Sequence, residues 1–194
     1  FTYVRQKQIL GLGHAVLTGQ SLIGNQAFAV ILADDLCDCD EEGVISQISK
    51  IYNKYQCSVI AIEEIPLTKA NQYGIVIGEL IDGTKDTYRV TNMIEKPNSD
   101  DLIEFTKYSN HDQNNTSMVN GIIGRYILTP DIFDILRNLE PDDSGEIQIT
   151  DALLKQAKKG KVVAFKFNGK RFDCGSIKGY LRAINYFAAK EGVI

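Results

Sequence analysis

The strongest constraint on this chain is an unbroken apolar run, Ala27-Phe28-Ala29-Val30-Ile31-Leu32-Ala33, closed by two carboxylates, Asp34 and Asp35. The run is too short for an independent helix and far below the ~20 residues that cross a bilayer, so it reads as a strand buried on both faces. A strand of that kind needs helices to cover it. Val44, Ile45, Ile48, Ile51, Tyr52 and Tyr55 have the i, i+3, i+4, i+7 spacing of an amphipathic helix, and residues 58–63 form a second apolar strand. Together they make a β-α-β unit, expected to cross over right-handed. The same alternation continues along the chain and predicts one α/β domain over 1–194, with a largely parallel sheet flanked by helices.

The middle differs in character. Residues 73–81 and 88–96 read as a hairpin joined by Asp82-Gly83-Thr84-Lys85-Asp86, a smaller β-rich region. Residues 1–5 read as an opening strand with no lead-in, which suggests a piece of a longer polypeptide, and 13–22 as a helix. The polar stretch 98–117 predicts a mobile loop. Beyond it, 122–128 and 162–167 are strands, and Thr150 is placed to cap a helix running through Ala157. Ile177, Tyr180, Leu181, Ile184 and Phe187 stripe a closing helix.

Charge narrows the partners. Lys and Arg number 21 against 25 Asp and Glu, a net charge of −4, so no basic field exists to hold a nucleic acid. The cysteines, at 37, 39, 57 and 174, include no Cys-x-x-Cys, and with only His14 and His111 beside them they read as reduced thiols rather than a zinc site. No charged leader with an apolar core and cleavage site is visible. The expected location is the cytoplasm, with no membrane partner.

Four places carry candidate chemistry. Asp34 and Asp35 follow the apolar strand, where open α/β sheets bind ligands; an acid there suits Mg²⁺, or else caps the next turn through its backbone. Gly11-Leu12-Gly13-His14-Ala15 precedes a helix but lacks the third glycine of a dinucleotide fingerprint, since Val16 stands there. Its glycines permit a flat ring or a phosphate to approach bare backbone. Glu95-Lys96-Pro97 ends a strand; proline biases Lys96 to an extended backbone, presenting a lysine suited to phosphate and a carboxylate suited to sugar hydroxyls, or simply two exposed charges. In Arg171-Phe172-Asp173-Cys174-Gly175-Ser176, Asp173 or Ser176 is placed to cap a helix, or Asp173 faces Asp34 across the crevice as a metal site. His14 reads as a helix-end packing residue. Hydrolase, zincin and P-loop motifs are all absent.

In this order the segments resemble the bacterial UTP:glucose-1-phosphate uridylyltransferases, within the wider nucleotidyltransferases of sugar-nucleotide synthesis. The carriers are Val4-Arg5-Gln6, the glycines from Gly11 to Leu17, the run from Phe28 to Asp35, Tyr73-Gly74, Glu95-Lys96-Pro97, Gly124-Arg125-Tyr126, Gly145 to Asp151 and Asp173-Cys174-Gly175. The resemblance implies a Rossmann-like open mixed, mainly parallel sheet of the nucleotide-diphospho-sugar transferase type. It also implies site roles: Gln6 and Gly11 at uracil, Asp34 and Asp173 on Mg²⁺, Gly74, Glu95 and the backbone near Gly124 at glucose, and Lys96 at phosphate. The implied reaction is attack of glucose-1-phosphate on the α-phosphorus of UTP, giving UDP-glucose and pyrophosphate, in a homodimer or homotetramer. Two departures stand against it. The family's first strand and glycine-rich phosphate loop are missing from these residues, and the stretch between Pro97 and Gly124 is long and polar. A noncatalytic sugar-nucleotide-binding unit and a related thymidylyl or other hexose-1-phosphate transferase are the alternatives.

Overall fold

Phe28–Ile31 (β1) is a strand, as its apolar run requires, but it lies at the margin of its sheet, with Ile31 58% exposed. The computed structural model describes residues 1–107 and 118–193, the side chains of 105–107 excepted. After β1 come Asp35–Asp38 (β2), Ser58–Pro66 (β3), Gly74–Leu80 (β4), Thr87–Glu95 (β5), Met118–Leu128 (β6), Val162–Lys166 (β7) and Lys170–Asp173 (β8). Six of them make one sheet in the order β1-β6-β3-β7-β5-β4, and β2 pairs with β8 in a separate antiparallel ribbon.

The mainly parallel, open sheet is corrected here. Only β3 and β7 run parallel, and β4 also pairs with β6, so β6, β3, β7, β5 and β4 partly close into a ring. The cause is β6, which inserts antiparallel between β1 and β3. Those two strands therefore point the same way without touching. An apolar run says that a strand is covered; it does not say which strand lies beside it.

The helices are Gly11–Thr18 (α1), Gln20–Ile23 (α2), Val44–Tyr55 (α3), Ser99–Lys107 (α4), Ile132–Arg137 (α5), Ile149–Ala157 (α6) and Ile177–Lys190 (α7). One sheet face packs against α1, α5 and α6, with Phe133, Leu136 and Leu153 sealed over Ile60, Ile62 and Leu128. Each such side chain contributes roughly 1.5–3 kcal/mol on burial. Helix α3 covers the other face, Val44 and Ile48 meeting Val59, Ala61 and Ile127. A third cluster, Ile65, Ile75, Leu102 and Val119, fills the end beneath the 3-10 turn Leu67–Gln72.

Three expectations fail for physical reasons. Residues 1–5 form no strand, because among the described residues nothing pairs with them; Tyr3 is 94% exposed, and of residues 1–9 only Gln6 is drawn in. In the expected 98–117 loop, Ser99–Lys107 is helical: Asn98 Oδ1 accepts the N–H groups of Asp100 and Asp101, both 2.9 Å, and these acids face the positive helix end while Leu102 is buried. The remainder, 108–117, lies outside the described residues. On α7 the apolar stripe turns outward, Ile177 being 82% exposed, and Ala183 is the buried residue. The helix is tied to the ribbon instead, through Tyr186 and Lys190 to Asp38 and through Phe187 tilted against Phe172, ring centres 5.6 Å apart. Among the described residues no helix is long and apolar enough to cross a membrane, and all four cysteines are free thiols.

Candidate active site

A cavity of about 300 Å³ opens between the ribbon and the ring, and Asp34, Gly74, Glu95, Lys96, Gly124 and Asp173 all line it. Gln6 and Gly11 do not. They sit at its rim, where Leu12 is a wall residue and a Cβ on Gly11 would stand 2.9 Å from Cβ of Glu146, another wall residue.

The two neighbouring acids divide the work that sequence left undivided. Asp35 opens β2 and is buried: Oδ1 takes Arg171 Nε at 2.6 Å, and Oδ2 takes the Gly124 N–H at 2.6 Å. Asp34, in the turn before it, is exposed and its carboxylate has no hydrogen-bond partner among the described residues. The Gly124 N–H is therefore spent on Asp35, and what Gly124 offers the cavity is bare surface. A side chain there would press to 2.6 Å from Leu32 Cβ.

Ribbon register brings the distant acid in. Asp35 pairs with Asp173, and the Cys174 N–H donates to Asp34 O at 2.7 Å. A Cβ on Gly175 would lie 3.2 Å from Asp173 Oδ1 and 3.5 Å from Asp34 Oδ2. Because glycine stands there, the two carboxylates flank an open space. That donor set fits Mg²⁺, which takes one or two carboxylates and fills its shell with water and phosphate oxygens. No group of three or more His, Cys, Asp or Glu gathers among the described residues.

Arg171 is the joint of this side. It is 7% exposed and pairs with Asp35, with Glu63 at 3.5 Å and with Asp173 at 3.6 Å, its guanidinium 5.0 Å from the Tyr73 ring centre. Burial opposes its charge, but Asp35 and the hydrogen bonds outweigh that and raise its pKa. Tyr73 donates its hydroxyl to Asp173 Oδ2 at 2.7 Å, and the Gly175 N–H reaches Oδ1 at 3.1 Å, so the Asp173 carboxylate is held in one orientation.

Across the cavity the hairpin register sets Gly74 opposite Glu95. Thr150 donates its hydroxyl to Glu95 Oε2 at 2.6 Å. That corrects the reading of Thr150 as a cap: the helix starts at Ile149, Gln148 is its N-cap without a side-chain bond, and the hydroxyl serves Glu95. Burial pushes the Glu95 pKa up, against the Thr150 bond and Lys96. Lys96 is not extended; its φ is +40°, in the left-handed range. Its N–H donates to Tyr73 O at 3.0 Å, closing the hairpin end, and this bond overrides the pre-proline bias at about 1–2 kcal/mol. The ammonium, 57% exposed and 3.9 Å from Glu95 Oε1, is loosely held.

Sequence reading missed Tyr73, Thr150 and Arg171. Arg171 did leave a signal: it precedes Asp173 by two in a strand, so both side chains leave the same face.

A family model described as "Nucleotidyl transferase" matches residues 1–190. The UTP–glucose-1-phosphate uridylyltransferase of Pseudomonas aeruginosa strain PAO1 is 50% identical over 187 residues, covering 96% of this chain and 61% of its own length. A crystal structure of UDP-glucose pyrophosphorylase complexed with UDP-glucose superposes with a TM-score of 0.85 at 49% identity, covering 98% of this chain and 66% of that one. A UTP-bound UGPase from Acinetobacter baumannii gives a TM-score of 0.76 at 32% identity, over 96% and 59%. The chain spans about 60% of the length of the curated relatives it matches.

Proposed function

The chain belongs to the nucleotidyl transferase family, and from that premise we propose that it serves the transfer of a uridylyl group from UTP to glucose-1-phosphate, giving UDP-glucose and pyrophosphate. The carrying observation is the convergence of Asp34, Lys96 and Asp173 on one cavity, with a gap at Gly175 between the two carboxylates. The 50% identity to a uridylyltransferase supports the choice of substrates.

Each wall then has a task. Glu95, oriented by Thr150, accepts hydrogen bonds from sugar hydroxyls, and Gly74 leaves room for the ring. Lys96 neutralises the phosphate of glucose-1-phosphate as its oxygen approaches the α-phosphorus of UTP in line; that P–O bond forms while the bond to pyrophosphate breaks. Asp34 and Asp173 would hold Mg²⁺, which supplies further neutralising charge at the α-phosphate when bound. Gln6 and Gly11 receive the uracil at the rim. Phosphoryl-type displacements ask a protein for position and charge rather than covalent chemistry, and these residues supply both.

The test is formation of UDP-glucose from UTP and glucose-1-phosphate, followed by pyrophosphate release. In a polypeptide that also carries the family's first strand and glycine-rich phosphate loop, Lys96→Ala is expected to lower turnover by ~10² or more, the scale of one lost charge-stabilising donor. Normal turnover in that variant rejects the role of Lys96. Turnover of UTP by this chain itself excludes the alternative, a binding-only unit.

A further inference from the structure

A second cavity, of about 380 Å³, shares a wall with the candidate active site: Gln72, Tyr73, Arg171 and Asp173 line both. Its charges do not balance. Each of its acids already has a cation, since Glu63 and Asp173 stand 3.5 and 3.6 Å from Arg171 and Glu64 takes Lys166 at 2.7 Å. Its other cations, Lys69, Lys178 and Arg182, have no ion pair or hydrogen bond among the described residues. Three positive charges are left over in one concavity.

The fold gathers them from two elements. Lys69 is carried by the 3-10 turn Leu67–Gln72, and Lys178 and Arg182 stand one helical turn apart on α7, where like charges repel unless something neutralises them. Helix α7 can start this close to the ribbon because position 179 is glycine; a Cβ there would fall 1.7 Å from Asp173 O. Arg171 adds a buried cation. Its Nε is spent on Asp35 at 2.6 Å, but Nη1 and Nη2 reach Glu63 and Asp173 only at 3.5 and 3.6 Å. A full charge-assisted bond is about 2.7–2.9 Å long, so the guanidinium keeps donating capacity.

We propose that this second cavity binds a compact polyphosphate anion, inorganic pyrophosphate being the simplest, through Lys69, Lys178 and Arg182 at its mouth and Arg171 at its floor. Such an anion concentrates several negative charges on a small body and offers oxygens to both lysine and the arginine fork. A longer polyanion finds no further hold, because the chain as a whole carries a net charge of −4. The site is distinct from the sugar-nucleotide cavity and does not depend on the uridylyl reading.

Calorimetric titration of pyrophosphate into the whole chain in EDTA tests this. Without a divalent ion the catalytic cavity turns Asp34, Glu95 and Asp173 toward an anion and repels it. One saturable site per chain is expected. The double variant Lys178→Ala/Arg182→Ala should weaken binding by about tenfold or more, the scale of lost charged donors. Lys178→Arg should stay within about threefold of the parent, since the charge remains. Lys96→Ala, in the other cavity, and Lys158→Ala, an exposed lysine at the end of α6, should leave the affinity unchanged. Equal losses in Lys158→Ala and the double variant mean diffuse surface charge and overturn the site. A loss in Lys96→Ala with binding kept in the double variant puts pyrophosphate in the catalytic cavity, which overturns the second site and leaves the uridylyl reading intact. Absence of saturable binding overturns it outright, again without touching that reading.

Discussion

The ribbon and the ring meet across one cavity but hold their side chains by opposite means. On the ribbon side, charges are buried and cross-linked: Arg171 satisfies Asp35 and steadies Asp173, Tyr73 donates to the same Asp173 oxygen that Arg171 faces, the Gly175 N–H takes the other, and Asp34 is left open among the described residues. On the ring, Glu95 has one strong partner, Thr150, and Lys96 is loosely tethered on a left-handed backbone. A carboxylate held in one orientation, Asp173, beside an open one, Asp34, suits a divalent ion that fills the rest of its shell with water and phosphate oxygens. A cation that must follow a moving phosphate benefits from freedom.

Three measurements press on that contrast, from the largest effect down. Arg171→Leu strands the buried Asp35 charge and should cost about 3–5 kcal/mol in urea unfolding. The double variant Asp35→Leu/Arg171→Leu should recover part of the loss, and a fully additive result would mean that the two groups do not act as a pair. Asp34→Asn should leave the urea midpoint nearly unchanged while raising the Mg²⁺ concentration for half-maximal activity by about tenfold, as expected when a two-carboxylate site loses one charge. An unaltered Mg²⁺ titration would remove Asp34 from the ligand set.

The smallest effect concerns Glu95. Burial raises its folded pKa above the unfolded one, so between the two values the folded state binds more protons and stability falls as pH rises. The charged carboxylate is thus a net cost at neutral pH. Glu95→Gln should melt slightly higher than the parent near pH 7, the gain fading as pH drops toward the ordinary carboxylate range of ~4.3, and it should bind UDP-glucose more weakly. A lower melting temperature at neutral pH would mean that the Thr150 bond outweighs desolvation.

Local pattern carried much of this design. The hairpin 73–96, helix 44–55 and the acid after the apolar run were legible because period and punctuation are written in neighbouring residues. Sheet order was not, since β6 enters between β1 and β3 through pairings made far along the chain. The Asp34–Asp35 ambiguity persisted for the same reason: the partner that buries Asp35 is Arg171, 136 positions away. Lys96 shows the opposite failure. Its pre-proline preference is a true local rule, overridden where the Lys96 N–H donates to Tyr73 O.

Ring closure has a further outcome for how this molecule meets other polypeptides. Each of the five ring strands is paired on both sides over part of its length, β4 meeting β6 only at Ile75 and Val76, and β6 gives residues 125–128 to β1 at one end. Among the described residues the outer side of Phe28–Ile31 is a place where the larger sheet can grow, an edge with unpaired N–H and C=O groups. Strand addition, by a neighbouring segment or by self-association at high concentration, has an address there, three residues from the carboxylate of Asp34.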